Sequence, residues 1–432
     1  MKYAVITFGC RVNQADSLGF EEQLIARGGV ATTPEAADLV LVNTCSVTAT
    51  ADQGARQTIR RVARDNPTAQ IVVTGCYATR EPEEVAALPN VVRVVPNDDK
   101  PRLIRLLDGG RRFSPGAGPE GLAQEDLGDG PCGAAIEPGV MGRTAYTLRV
   151  QTGCDEPCSY CIIPSTRGRP RSTPIRDLLR EIDRVAAAGF KAIALTGVHL
   201  GSYGRDLAPA TSLIELLRAI DRDTGSAALQ GCRFRISSLE PMDCTPAIVD
   251  LVAARDTFAP HFHLPLQHAS DRILDRMRRP YTIDYYAALV DDIRARLPHA
   301  SIGSDVIVGF PGETDADFEQ LASYLERSPL THVHVFPYSD RPGTAASRMD
   351  GRVHGAIVRE RARRIRDIAA NLTARFHHAQ LGTTHLALTI DDGSVAITGN
   401  YLKVRIPPGR ARNVWVRIRV ARVNAELAGE IW

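Results

Sequence analysis

Apolar positions at the start of the chain fall into short blocks separated by longer amphipathic stretches. KYAVITFG, DLVLVNT and QIVVTG are rich in β-branched residues, the pattern of strands buried on both faces. Between them apolar positions recur at helical spacing, predicting helices over 16–27 and 52–64. Strand–helix–strand repetition implies a parallel, doubly wound sheet. Over 109–140 the periodicity disappears and Gly, Pro and acidic residues dominate, so this stretch reads as a linker. From 145 to 337 the alternation resumes. TLRVQT, AIALTG, FRISS, FHLPL, IGSDVIVGF and HVHVFPY are the strand candidates of a partial (β/α)6 barrel, whose site belongs on the loops after the strands. A long Arg-rich helix is predicted over 353–381. Beyond it THLALTI, SVAITG, YLKVRIP and VWVRIRVARV alternate apolar and basic residues, predicting a small antiparallel β-barrel, although the segment is short for a full one. The fold class is α/β, with domains at 1–108, 141–375 and 376–432 and the linker at 109–140.

Composition narrows the class. A chain of 432 residues with 44% hydrophobic and 24% charged residues is an ordinary globular protein of two or three domains. No run of about 18 apolar residues predicts a membrane span. The opening MKYAVITFGCRVNQ reads as a first strand and not as a secretory signal, so a cytoplasmic protein is expected. A net charge of +2 excludes a uniformly basic nucleic-acid binder but leaves room for local patches. Arginine is indeed concentrated at 60–61, 167–171 and 276–279 and in the last segment.

Nine cysteines, an odd number in a large chain, favour metal binding or catalysis over a disulfide framework. Cys154, Cys158 and Cys161 form a C-x3-C-x2-C run. Three thiolates on one short loop can hold three irons of a 4Fe-4S cluster. A ferredoxin-type run would supply a fourth cysteine nearby, but here the next one is Cys232. One iron is then left open, as a catalytic metal requires. The alternatives are a zinc site or reduced thiols packed in a core.

Cys10, Cys45 and Cys76 each follow one of the three N-terminal strands, where ligands gather in such sheets. Small residues precede each of them, leaving space for a bulky group. Position alone leaves two readings open: a second cluster, or buried free thiols.

The C-x3-C-x2-C run after a first barrel strand resembles the radical S-adenosylmethionine (SAM) superfamily. That resemblance implies SAM chelated at the open iron and split to a 5′-deoxyadenosyl radical. It places Tyr160 near the adenine and the backbone of Gly197 and His199 against the SAM amino group. Glu240 falls at a ribose-contacting position, Val308, Gly309 and Phe310 at the adenine-contacting stretch, and His263 and Gln267 beside the cavity. A histidine or carboxylate in such a place is also commonly a satisfied core or surface group.

The whole ordered set GCRVNQADS, NTCSVTATADQGARQTIRR, VVTGCYA, GCDEPCSYCIIPSTRG, TGVHLGSYG, SSLEP, HLPLQH, SDVIVGFPGE and YSDRPGT resembles the radical SAM methylthiotransferases. GCRVNQADS and TGVHLGSYG are similar to the branch that modifies N6-threonylcarbamoyladenosine at position 37 of tRNA. The resemblance implies two 4Fe-4S clusters and SAM as cofactors. Cys10, Cys45 and Cys76 would hold an auxiliary cluster carrying the sulfur. Cys154, Cys158 and Cys161 would hold the cluster that generates the radical, and the methylthio group would go to carbon 2 of the adenine. It also implies a C-terminal TRAM domain, on which Lys403, Arg405, Arg410 and Arg412 are the candidate RNA contacts. The expected partners are the tRNA anticodon stem-loop, a low-potential electron donor and a sulfur donor. Three other readings stand beside it: isopentenyladenosine in tRNA, a ribosomal protein side chain, and a non-enzymatic RNA-binding protein holding zinc or a cluster.

Overall fold

The computed structural model describes residues 1–108, 144–223, 229, 231–423 and 426–431. The predicted linker 109–140, with Cys132, lies outside the described residues. The chain divides into two units. One comprises 1–108 with Thr152–Glu156 and Cys161–Arg171. The other comprises 144–151, Pro157–Tyr160 and the described residues from Ser172 on.

In the first unit five parallel strands stand in the order Val30–Ala31, Lys2–Thr7, Leu39–Thr44, Gln70–Gly75, Val91–Val95. Strand alternation sends successive side chains to opposite faces. Val40, Val42, Ile71 and Val73 pack under the helix Ala49–Asp65 through Ala55, Ile59 and Val62. Leu39, Leu41 and Val72 pack on the other face against Phe20 and Leu24 of the helix Arg11–Ala26. Both faces are covered, which is why the central strands read as continuous apolar runs. The first helix begins at Arg11 and not at 16, because its first turns bury polar residues (Asn13, Asp16, Ser17) that carry no apolar periodicity.

In the second unit six parallel strands run Ala145–Arg149, Ala192–Thr196, Arg233–Ile236, His261–His263, Ser301–Val308 and His332–Pro337. They form two three-stranded sheets, joined by parallel bridges Phe234↔Phe258 and Ser238↔His263. This is the expected open barrel. The helix Gly355–Ala379 packs along the last strand. Beyond it strands Thr384–Ile390, Val395–Thr398, Lys403–Arg405, Trp415–Val423 and Glu426–Ile431 close a barrel. The fifth strand, unpredicted from the sequence, supplies the closure, partly through a parallel pairing of Arg405 with Ala428. The second barrel is fastened to the first: Trp415 Nε1 donates to Gly231 O (2.7 Å), Asn413 Nδ2 to Gly189 O (2.7 Å) and Asn400 Nδ2 to His299 O (2.8 Å).

Candidate functional site

In the first unit the three N-terminal cysteines sit at the carboxyl ends of three neighbouring strands. Cys10 is the residue before the helix Arg11–Ala26, Cys45 follows Thr44 directly, and Cys76 opens the helix Cys76–Arg80. Cys10 is exposed while Cys45 and Cys76 are buried. The glycines before two of them have steric reasons. A Cβ on Gly9 would lie 2.4 Å from Cys45 Sγ, and one on Gly75, at φ +100°, would lie 2.2 Å from Thr44 O. Side chains pin the three ends together. Asn13 Nδ2 donates to Phe8 O (2.8 Å) and Thr44 O (3.0 Å), Thr44 Oγ1 donates to Thr74 O (2.6 Å), and Ala78 N donates to Thr44 Oγ1 (3.2 Å).

Burial pushes the Cys45 thiol up to about 11, and the neighbouring Cys10 and Cys76 add to that. Such crowding of potential thiolates is relieved by a bound cation or cluster. A buried charge network stands beside them. Lys100 Nζ donates to Asp16 Oδ2 (2.6 Å), and Arg167 Nη2 donates to the same oxygen (3.3 Å). The three side chains are 4%, 3% and 1% exposed for Lys100, Arg167 and Asp16. Burial lowers the Arg167 guanidinium, but Asp16, Cys76 and Cys10 together raise it above its usual range. Lys100 is lowered, first by burial and also by Arg167, against the opposing pull of Asp16. The sequence reading missed this network. Its one visible signal was the Arg cluster beginning at 167.

The Cys154–Cys161 loop passes through both units. In the first unit Gly153, at φ +75°, comes so close to Arg169 O that a Cβ would sit 1.9 Å from it, and Cys154 N donates to Gly168 O (3.0 Å). In the second unit Ser159 N donates to Met277 O and its hydroxyl to Arg276 O, while Cys158 Sγ accepts from Arg279 Nη1 (3.1 Å). Arg279 also donates to Glu240 Oε2 and, through Nε, to Tyr281 OH (3.0 Å). Burial lowers this guanidinium, but Tyr160, Tyr281 and Cys158 raise it further, so it is a fixed cation. Arg279 is the second functional candidate that sequence reasoning did not single out, and it engages the carboxylate of the predicted Glu240.

The remaining predicted residues lie on the second unit's loops. Gln151 Oε1 accepts from Val198 N (2.9 Å) and His199 N (3.0 Å), and a Cβ on Gly197 would lie 3.0 Å from that same oxygen. The His199 ring is tied to Asp243 Oδ2 (2.7 Å), and the His199 carbonyl accepts from Ser202 N (3.0 Å) and Ser202 Oγ (2.8 Å). Gln267 has φ +65°, a strained conformation for a side-chain-bearing residue. Val308 and Phe310 are fully buried. The Phe310 ring packs edge-on against Tyr338 in a cluster that includes Tyr160. Gly309, at φ +76°, is held by its N–H donation to Glu313 Oε2 (2.7 Å), and that carboxylate is paired with Arg361 (2.6 Å).

On the C-terminal barrel Lys403, Arg405 and Arg410 are exposed, and Arg412 is half-buried with Nε donating to Asp391 O. The Trp415 and Tyr401 rings lie under Arg233 (5.5 Å) and Arg235 (4.2 Å) of the larger barrel, so they serve docking here and not base stacking. Of the other cysteines, Cys232 donates to Phe190 O (3.4 Å) and Cys244 is a buried thiol that burial and Asp243 push up to about 12.

Residues 2–96 match the uncharacterized protein family UPF0004, and residues 148–325 match the radical SAM superfamily. The chain is 35% identical over 408 residues to a threonylcarbamoyladenosine tRNA methylthiotransferase MtaB of Aquifex aeolicus, covering 94% of this chain and 96% of the relative. To the protein of that name in Chlamydia pneumoniae it is 34% identical, over 99% and 98% of the two chains. A Parafrankia relative, 34% identical over 88% of this chain and 76% of its own, is a tRNA-2-methylthio-N(6)-dimethylallyladenosine synthase. Among solved structures, the radical SAM methyltransferase TsrM of Kitasatospora setae has the same fold at a TM-score of 0.57 and 16% identity, over 80% of this chain and 73% of that one.

Proposed function

The chain belongs to the radical SAM tRNA methylthiotransferases, and we propose that it adds a methylthio group to carbon 2 of N6-threonylcarbamoyladenosine at position 37 of tRNA. The observation that carries this reading is the gathering of Cys10, Cys45 and Cys76 at three adjacent strand ends in a chain that also has the C-x3-C-x2-C loop. Two separate sets of three thiol donors suit two 4Fe-4S clusters, each lacking a fourth protein ligand. The donor chemistry fits. Each set offers three thiols, the soft donors that iron–sulfur clusters take; Asp155 and Glu156 stand between Cys154 and Cys158, and Asp16, beside the first set, is paired with Lys100 and Arg167.

Cys154, Cys158 and Cys161 would hold a cluster that would supply one-electron reactivity toward SAM, which no acid or base side chain can provide. The chain's own residues do the placing. Arg279 donates to the Cys158 sulfur and brings permanent positive charge to a site that takes on electrons. The Gln151-braced turn at Gly197 and His199 would stand against the SAM amino group, and Glu240, held by Arg279, would meet its ribose. Tyr160, Val308, Gly309, Phe310 and Gln267 shape the adenine side. Arg167 gives the auxiliary site the equivalent fixed cation. We read 1–108 as the auxiliary-cluster domain, 109–140 as the linker, 141–375 as the radical SAM domain and 376–432 as a TRAM-like domain whose Lys403, Arg405, Arg410 and Arg412 meet the anticodon stem-loop. The working compartment is the cytoplasm, with an electron donor and a sulfur donor as further partners.

The test is nucleoside mass spectrometry on tRNA incubated with anaerobically reconstituted protein, SAM, reductant and sulfide. Methylthio gain on threonylcarbamoyladenosine alone supports the reading. Gain on isopentenyladenosine alone keeps the chemistry and moves the chain to the other branch. SAM cleavage with gain on neither points to another substrate, such as a ribosomal protein.

A further inference from the structure

The large barrel presents an unusual inner wall. Strand alternation sends Phe234, Phe262, Ile302, Val306 and Val333 outward, where they are buried. The inward positions of the same strands are Arg235, His261, His263, Asp305, His332 and His334, with Ser301 and Gly303 between them. The rings touch in sequence: His261 and His332 stack at 6.0 Å, His263 meets His334 at 5.5 Å, and His332 meets His334 at 5.8 Å. Gly303 is the small residue that admits this row, since a Cβ there would lie 2.0 Å from His332 Nε2. No branched aliphatic side chain occupies the inner positions of these strands up to Asp305 and His334.

Asp305 organises the wall. Its Oδ2 pairs with His263 Nε2 (3.1 Å) and its Oδ1 with His334 Nδ1 (3.0 Å). Each imidazole is thereby oriented, while His263 Nδ1 and His334 Nε2 have no hydrogen-bond partner among the described residues. Asp305 occupies one nitrogen of each ring, and the other nitrogen of each is left to meet a ligand. The Arg235 guanidinium, stacked over Tyr401 at 4.2 Å, adds a permanent positive charge near His261 at the foot of the wall. The two substituents named among the relatives differ in the relevant respect. A threonylcarbamoyl group ends in a carboxylate and a hydroxyl, whereas a dimethylallyl group is a branched hydrocarbon that offers these polar groups no partner.

We propose that the His263–Asp305–His334 wall receives the carboxylate end of the substrate's N6 substituent, and that this interaction selects threonylcarbamoyladenosine over its hydrocarbon-bearing counterpart. The proposal rests on the reading above that the substrate is a modified adenosine in tRNA. Ionic hydrogen bonds of this kind are worth roughly a tenfold change in affinity or more.

The experiment compares binding of the full chain to four anticodon stem-loops by fluorescence anisotropy. They carry threonylcarbamoyladenosine, its uncharged methyl ester, isopentenyladenosine or plain adenosine. Wild type should bind the acid about tenfold tighter than the ester, and His334→Phe should abolish that difference while binding the ester as before. Asp305→Asn, which releases both rings, should weaken the same preference, with circular dichroism melts verifying that each variant is folded. An unchanged acid-over-ester preference in both folded variants overturns the proposal, as does a wild type that does not distinguish acid from ester. So does stoichiometric zinc or iron held at the histidines in protein lacking the cluster cysteines and lost in His334→Phe, since the wall would then be a metal site. A wild type that binds no modified stem-loop better than plain adenosine defeats the substrate reading itself, before any variant is compared.

Discussion

A charged side chain taken out of water persists only where its surroundings restore what water gave it. Arg279, with a side chain 1% exposed, meets that condition through Glu240, the Tyr281 hydroxyl and ring, and the Cys158 sulfur. Arg279→Leu removes one member of a buried set and strands the others, so it should cost about 3–5 kcal/mol. Arg279→Lys keeps the charge but loses the fork that reaches three partners, and should recover only part of that. Urea unfolding of the cluster-free protein measures both, and an Arg279→Leu midpoint equal to wild type would contradict the assignment. His332 gives a second residue-scale prediction. Burial, then the neighbouring His263 and His334, pull its pKa down to about 4. The unfolded chain takes up this proton near pH 6.5 and the folded chain only near 4. Its contribution to stability is therefore complete above about pH 6.5, and it is lost as pH falls through that window toward 4. His332→Gln should flatten this part of the profile in urea unfolding between pH 7.5 and 5. Parallel profiles for the two proteins would show that another group carries the slope.

At the scale of elements, the turns matter more than the strands they follow. Gly75 joins the strand Gln70–Gly75 to the helix that Cys76 opens, at a φ closed to most residues and with Thr44 backbone where a Cβ would go. Gly75→Ala should destabilise the first unit by about 1–3 kcal/mol through backbone strain and displace Cys76. The check is iron content after reconstitution in a Cys154/Cys158/Cys161→Ala background, where iron retained at wild-type level would show that the turn does not position the thiol. These turns were legible in the sequence because a β-branched run followed by Gly-Cys is a local signal, and because ligands gather at strand ends in parallel sheets. What was not legible was either short, half-exposed or non-local. Val30–Ala31 has two residues, and Val91–Val95 carries Arg93 in its middle. Glu426–Ile431 interrupts its apolar pattern with Gly429 and Glu430 and gains its place only by pairing along Trp415–Val423. Asp16, Lys100 and Arg167 have no periodicity in common. Only the folded chain puts two cations on one carboxylate beside the cysteines.

For the molecule as a whole, a net charge of +2 conceals an uneven distribution. On the C-terminal barrel, apolar residues point inward at Leu402, Val404, Ile406, Val416, Ile418 and Val420, which leaves the intervening basic residues Lys403, Arg405, Arg417 and Arg419 on the outside. A basic outer face on a small barrel follows a phosphate backbone without reading bases. The docking of Trp415, Asn413 and Asn400 onto the larger barrel fixes that face relative to the radical SAM strands, and on the proposed reading RNA bound there would lie at a set distance from the inner wall. Replacing Arg405 and Arg410 together by Glu should therefore weaken binding of every tRNA by a similar factor, whatever its base at position 37. It should also make the dependence of log affinity on log salt shallower, by about 0.7–0.9 for each phosphate that is no longer neutralised. Filter binding across a salt series with modified and unmodified tRNA gives both numbers. An unchanged salt slope would mean that these arginines do not neutralise phosphates. Weakening confined to threonylcarbamoyladenosine-bearing tRNA would mean that the C-terminal barrel, and not the histidine wall, senses the modified base.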